Sequence, residues 1–329
     1  MKLRIIAVLL PLMLLSGCFV RSYPEDKPPE NILNGETGTK TYAVVFPIVH
    51  PFFEPIAEDA QNYANENNWT VYTAAPEAAD YRLQIEIMRE LIDKGVDGIA
   101  IGPTDPDELV GVINEALDAG IKVICFETDA PDSDRMGYVG TNNYNAGRHM
   151  GYAIGNELGG EGKILILTGL STQMSLNERI RGIKEYLSEH YPGIEILNIQ
   201  SSEGDAQQAV SVAQSMIEAH PDFDAIIGID ATAGPAAVEV WKANGWNGNE
   251  QSKLIITFDD MPDNLQGMRD GYIRIIISQR QNTWGQGVLM LLDSLVEGRA
   301  IPDYTDTGSI EITMNNIDRY LNEPSWVEP

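Results

Sequence analysis

Nine short apolar runs recur along this chain with an amphipathic stretch between most neighbours, and no other feature limits its folding so tightly. They are TYAVVF from Thr41, WTVYTA from Trp69, DGIAIG from Asp97, KVICFE from Lys122, KILILT from Lys163, IEILNIQ from Ile194, DAIIGID from Asp224, KLIITFD from Lys253 and IRIIIS from Ile273. Such runs read as strands, and near-continuous apolarity puts them in sheets buried on both faces. The intervening stretches carry helical periodicity. DYRLQIEIMRELIDKG, residues 80–95, begins on an Asp N-cap and closes on a Gly. Buried strands separated by helices form parallel sheets covered on both sides.

The same beat repeats at a coarser scale. LIDKGVDGIAIGPTD in the first half and MIEAHPDFDAIIGIDA in the second share helix, turn, acidic residue, buried strand and polar exit. The expected fold is therefore α/β, with two similar doubly wound parallel-sheet lobes. In such sheets ligands bind beyond the carboxyl ends of the strands. Two facing lobes turn that crevice into a cleft between them.

Several chemically distinct groups stand at those strand ends. His50, Phe52 and Phe53 follow the first run, and Glu127, Thr128 and Asp129 follow the fourth. A loop leading to Arg179 follows KILILT, Asp230 ends DAIIGID, Asp259 ends KLIITFD, and Gln279 follows IRIIIS. Aromatic rings, carboxylates, one Arg and amides together suit a sugar. Its C–H face stacks on a ring, while its hydroxyls both donate and accept hydrogen bonds. Such a ligand would cover Phe52 and Phe53, which the turn otherwise leaves partly wet. The alternative for these two is a place in the core beneath the first helix. Glu127 and Asp259 could instead cap the helices that follow them, and Arg179 could be a solvated charge beside Glu178.

Other chemistries fit less well. GGEGK, residues 159–163, has the glycines and lysine of a phosphate loop, but it enters a strand rather than leaving one. The four His residues are scattered without metal-ligand spacing, so no metal or cofactor is expected. Paired carboxylates would suit a glycosidase. Here Arg179 is expected to hold Glu127 and Asp259 ionised rather than raise either pKa. No catalytic residues are assigned. Cys125, within IKVICFE, reads as a buried inert thiol.

The N-terminus speaks to compartment. Lys2 and Arg4 precede an apolar run from Ile5 to Leu15, and LSGC ends at Cys18. This is the order of a lipoprotein signal, with cleavage after residue 17 and lipid on the Cys18 sulfur. Residues 18–40, rich in Pro, Gly and charge, read as a flexible leash. The formal net charge is −27, and losing Lys2 and Arg4 takes it to −29. Such a surface repels nucleic acid.

The chain also resembles the type I periplasmic sugar-binding proteins of ABC importers, in the ribose-binding group and nearest its glucose/xylose-binding relatives. The resemblance is carried, over about residues 41–321, by HPFFEPIAEDAQ, GVDGIAIGPTDPDEL, AGIKVICFETDAPDS, YVGTNNYNAGRHMG, NERIRGIKEYL, AHPDFDAIIGID and FDDMPDNLQGMRDGYIRIIISQ. It implies stacking aromatics at Phe52 and Phe53, acids at Glu127 and Asp259, a hydroxyl at Thr141, and Arg179 and Gln279 in the second lobe. It further implies a three-crossing hinge near residues 141–144, 279–281 and 304–308. The first lobe is then 41–141 plus 281–305, and the second 142–280 plus 306–329.

Departures from the ribose-binding pattern narrow the ligand. Those proteins have Asn where this chain has His50, Asp-Arg at Glu127 and Thr128, Asn at Gly102, and Asn-Asp at Ile229 and Asp230. A His before the Pro is shared with the glucose/xylose relatives. The implied ligand is a pyranose such as glucose, xylose or galactose, held by a monomer that delivers it to a membrane permease on the outer side of the cell membrane. A sensory role, with the closed protein read by a chemoreceptor or kinase, uses the same fold. A cytoplasmic transcription regulator shares the core too, but no helix-turn-helix precedes residue 41.

Overall fold

A computed structural model describes residues 40–246 and 253–322; the signal segment, Cys18 and the leash up to residue 39 lie outside them. The chain begins with β1 (Thr41–Val45), α1 (Glu54–Glu66), β2 (Thr70–Ala74), α2 (Tyr81–Lys94), β3 (Gly98–Ile101), α3 (Val110–Asp118), β4 (Lys122–Phe126) and β5 (Tyr138–Gly140). It continues with α4 (Asn143–Glu157), β6 (Glu161–Thr168), α5 (Met174–His190), β7 (Gly193–Ser201), α6 (Ala206–Ala219) and β8 (Ala225–Gly228). Then come α7 (Ala233–Ala243), β9 (Leu254–Phe258), α8 (Pro262–Arg269), β10 (Ile273–Ser278), α9 (Trp284–Val296), β11 (Tyr304–Asp306), β12 (Ile310–Ile312) and α10 (Ile317–Asn322).

All nine apolar runs form strands. They fall into two six-stranded sheets, ordered β11-β5-β4-β3-β1-β2 and β12-β10-β9-β8-β6-β7. Apart from the last strand the two orders correspond one for one, which is the doubly wound pair of lobes expected. In the first sheet Ala43 lies opposite Ile99 and Tyr72 in parallel register. Side chains alternate across the pleat. Tyr42, Val44 and Phe46 pack against Ile56 of α1 and Val288, Leu289 and Leu292 of α9. Ala43 and Val45 face Met88 and Leu91 of α2 and Ile113 of α3. The predicted helix punctuation is present: the Asp80 side chain accepts from the Arg82 N–H at 2.8 Å, and Gly95 takes a left-handed φ of 67°.

Three strands escape the apolar pattern because each has only three residues: β5, β11 and β12. They mark where the chain passes between the sheets. It leaves β5 for α4, leaves β10 for α9, and runs from β11 directly to β12. β11 is parallel to β5, whereas β12 is antiparallel to β10. Only residues 307–309 separate them, too few for a crossover helix, so the chain enters the second sheet at its carboxyl edge and must run backwards.

In the second lobe α4 and α5 touch backbone to backbone. A Cβ at Gly147 would lie 2.1 Å from the Arg179 carbonyl oxygen, and one at Gly182 would lie 2.2 Å from that of Tyr144. This close approach, which only Gly permits, sets the height of Arg179.

Candidate functional site

Both lobes end their fourth strand in the same way. Phe126 and Phe258 are fully buried, and the acid after each adopts a left-handed backbone: φ is 63° at Glu127 and 70° at Asp259. Non-glycine residues pay for that conformation, and it recurs where geometry serves a site. It turns both carboxylates inward, where they are 4% and 3% exposed.

Around Asp259 the second lobe builds a chain of hydrogen bonds. Arg179 Nε donates to Asn143 Oδ1 at 2.9 Å, Nη1 to the Ile229 carbonyl at 2.9 Å, and Nη2 to Gln279 Oε1 at 2.5 Å. Gln279 Nε2 in turn donates to Asp259 Oδ1 at 2.6 Å. The guanidinium lies 4.4 Å from the centre of the Phe258 ring, a cation–π contact. Arg179 is thus buried and fixed, while Glu178 pairs with Arg181. The solvated alternative for Arg179 is excluded.

Glu127 is held from across the cleft. Its carboxylate accepts from Gln173 Nε2 at 2.8 Å and Ser175 Oγ at 3.1 Å, both from the second lobe. The Ser175 N–H donates to Thr128 Oγ1, and Thr172 Oγ1 donates to the Thr104 carbonyl at 3.0 Å. The lobes therefore meet in a closed arrangement.

Between them lies a cavity of about 70 Å³, lined by His50, Phe52, Phe53, Glu127, Arg179, Asp230, Asp259 and Gln279, together with Gln173 and Leu176. Of the residues singled out in the sequence, Thr128, Asp129 and Thr141 are not on its wall, and Asp129 pairs instead with Arg135. Thr128 is buried in the lobe contact just described. Thr141 belongs to the first crossing: its Oγ1 reaches the Gly308 carbonyl at 3.5 Å, and its own carbonyl accepts from Tyr138 Oη at 3.1 Å.

Two further expectations are corrected. Phe52 and Phe53 are not wet, being only 5% and 8% exposed. They stack edge to face at 5.1 Å, with Phe46 beside Phe53 and Trp284 beside Phe52, so they are core and cavity wall at once. Nor does Arg179 hold the acids in their usual range. Burial pushes Glu127 up to about 7, against the pull of Arg179, Ser175 and Gln173. Burial likewise raises Asp259 to about 7, against Arg179 and Gln279. One cation does not offset the desolvation of two enclosed carboxylates. Asp230 is raised by burial, opposed by its bond from Thr232.

Gln173, Asn143 and Ser175 were not anticipated. Each sits at the start of a helix: Gln173 is the N-cap residue of α5 but makes no capping bond, which frees its amide for Glu127. Cys125 is buried and free, with its thiol pKa raised by burial.

With this geometry in view, similarity to known proteins is decisive. A family model described as a periplasmic binding protein domain matches residues 42–300. The chain belongs to this family. Among periplasmic binding proteins of known structure, an ABC transporter solute-binding protein from Burkholderia graminis in complex with D-arabinose is 34% identical. The match covers 87% of this chain and 99% of that one, with a TM-score of 0.83. A glucose-galactose binding protein from Geobacillus stearothermophilus is 28% identical over 84% of this chain and 98% of its own, with a TM-score of 0.79. By sequence, a D-ribose/D-allose-binding protein of Pseudomonas aeruginosa is 25% identical over 296 residues, 86% of this chain and 90% of that one. Among the described residues no helix is long and apolar enough to cross a membrane.

Proposed function

We propose that this periplasmic binding protein captures a monosaccharide between its lobes and delivers it to an ABC import permease. One observation carries the reading: one interlobe cavity meets Phe52 and Phe53 on one side and, on the other, Arg179, Gln279 and Asp259, which are chained by hydrogen bonds. The ring's C–H face meets the phenyl groups, and its hydroxyls meet carboxylates, amides and the guanidinium. Hydrogen bonds to charged partners contribute about 1.5 to 3 kcal/mol each, so three or four suffice for specific capture.

The relatives named above bind arabinose, glucose and galactose, or ribose and allose, which supports a monosaccharide. His50 and Glu127, where ribose binders have Asn and Asp, favour a pyranose such as glucose, xylose or galactose. Contacts from both lobes form only on closure, so the ligand selects the closed state through its differential affinity. The crossings at residues 141–142, 279–281 and 307–309 serve as the hinge. Lipid on Cys18 would keep the protein beside its permease on the outer face of the membrane; that part rests on the sequence alone.

A thermal-shift screen against monosaccharides and polyols tests the reading. Ligand at a hundredfold excess over its dissociation constant adds about 2.7 kcal/mol, a readily measured rise in melting temperature. A shift with ribose alone would overturn the reading of His50 and Glu127 as departures that disfavour ribose, and turnover of glycosides would overturn the binding role altogether.

A further inference from the structure

The strand ends that carry Asp259 and Gln279 are tied together twice, and the second tie uses residues that take no part in the cavity wall. β9 and β10 run parallel, and their last paired residues are Phe258 and Ile277. Beyond them Gln279 Nε2 donates to Asp259 Oδ1 at 2.6 Å, within the cavity. Asp260 follows Asp259 and Ser278 precedes Gln279, and one hydroxyl joins these two neighbours. Tyr320 of α10 donates it to Asp260 Oδ2. With its proton so engaged, the oxygen accepts from Ser278 Oγ at 2.9 Å. Ser278 Oγ in turn takes the Arg280 N–H at 3.4 Å, and Gln281 Nε2 donates to Asp260 Oδ1 at 2.6 Å. Burial and the charge of Asp260 raise the pKa of Tyr320, so the hydroxyl keeps its proton at neutral pH.

The relay brackets two strained residues, with φ at 70° for Asp259 and 59° for Arg280. A non-glycine residue rests in the left-handed region only where its surroundings over-determine it. Asp259 bears the cavity carboxylate, and Arg280 directly follows the cavity amide of Gln279. Relaxation of φ at either would swing that group off the wall. The Tyr320 ring packs, as do Leu265 and Tyr272, against the second-lobe core around Ile310 and Ile317, which fixes where its hydroxyl stands. We propose that Tyr320 is a positioning residue for the ligand site: from the C-terminal helix, without reaching the cavity, it holds Asp259 and Gln279 in the arrangement that captures the sugar. The inference rests on the monosaccharide reading and extends it to the back of the site. Binding groups need to be held to within about 0.5 Å by such supporting hydrogen bonds. The last helix of the chain is therefore part of the binding apparatus.

The test separates positioning from general stability. Tyr320→Phe deletes only the hydroxyl. Ile317→Val, on the same helix, trims a buried core side chain and lowers stability while leaving the hydroxyl in place. Whichever of D-glucose, D-xylose, D-galactose, D-arabinose and D-ribose raises the melting temperature is titrated by calorimetry into wild type and both variants, well below their melting temperatures. Amide hydrogen exchange of the sugar-free proteins is followed over residues 257–261 and 277–282. Tyr320→Phe should weaken the sugar about tenfold and speed exchange in both segments more than Ile317→Val does. Ile317→Val should keep the affinity within about twofold. Equal losses in the two variants, or an unchanged affinity in Tyr320→Phe, would overturn the positioning role and leave the hydroxyl as ordinary fold stability. If none of the five sugars binds, the monosaccharide reading fails and the exchange rates still decide: unaltered rates in both segments would overturn the positioning role as well, and acceleration confined to them would uphold it. Should Tyr320→Phe fail to fold, Ser278→Ala breaks the same relay one link earlier and takes its place in the comparison.

Discussion

The two lobes share a strand order and a left-handed acid at the same topological position, yet they present opposite surfaces to the cavity. The first offers rings: Phe52 and Phe53 belong to a cluster with Phe46, Phe126 and Trp284 that also cores the lobe. The second offers a relay of polar side chains anchored on Arg179 and on the close contact of α4 and α5. The doubly wound sheet thus supplies a position, and the residues just past each strand supply the chemistry. An amphipathic ligand with a C–H face and a hydroxyl rim needs both kinds of wall.

This division can be broken experimentally, and the largest effect is expected at Arg179. Arg179→Ala should weaken sugar binding at least about a thousandfold in calorimetry. It should also cost roughly 3 to 5 kcal/mol of stability in denaturant unfolding, because a buried charged network loses its hub. Affinity within tenfold of wild type would mean that the second lobe is not the polar wall. Phe52→Ala probes the other side and should cost about 3 to 5 kcal/mol of stability, since its ring is core as well as surface. A loss below about 1 kcal/mol would reduce it to a surface contact.

The paired acids test the equivalence of the lobes. Both are raised to about 7 by burial, from ordinary values of 4.5 for Glu127 and 3.8 for Asp259. The closed form therefore holds these protons more tightly than the unfolded chain does. Their stabilising contribution is present at acid pH and is lost as pH rises through 7. Glu127→Gln and Asp259→Asn should each flatten the dependence of melting temperature on pH between 5 and 8. Flattening by only one of them would show that the lobes are not electrostatic equivalents. The smallest change is expected for Gln173→Ala, which removes one amide donor from Glu127 and should weaken binding about tenfold. An unchanged affinity would remove this contact from closure.

Much of this architecture is legible in the residues alone. A buried strand with capped helices on either side leaves a strong periodic trace, and the strand ends then locate His50, Glu127, Arg179, Asp230, Asp259 and Gln279 around one cavity. Three-residue strands leave no such trace, because their pairing is imposed by where the chain crosses between sheets. Gln173 and Ser175 were silent for a related reason: nothing in LSTQMS, residues 170–175, announces a partner on the other lobe. Ring exposure and carboxylate pKa depend on how completely the lobes close, a property of the assembled pair. Charge counting therefore favoured Arg179 over desolvation, the term that prevails.

The third crossing and the return of α9 also bear on how the molecule is made. Trp284, Val288, Leu289 and Leu292 arrive late in the chain, yet they pack on the helix and strands laid down at its beginning. Domains usually fold in the order of synthesis. Here the N-terminal half must wait, with Ile56 and Tyr42 unroofed, until a segment beyond residue 283 emerges. Neither lobe is closed by its own contiguous stretch: α9 and β11 complete the first, and β12 and α10, later still, complete the second.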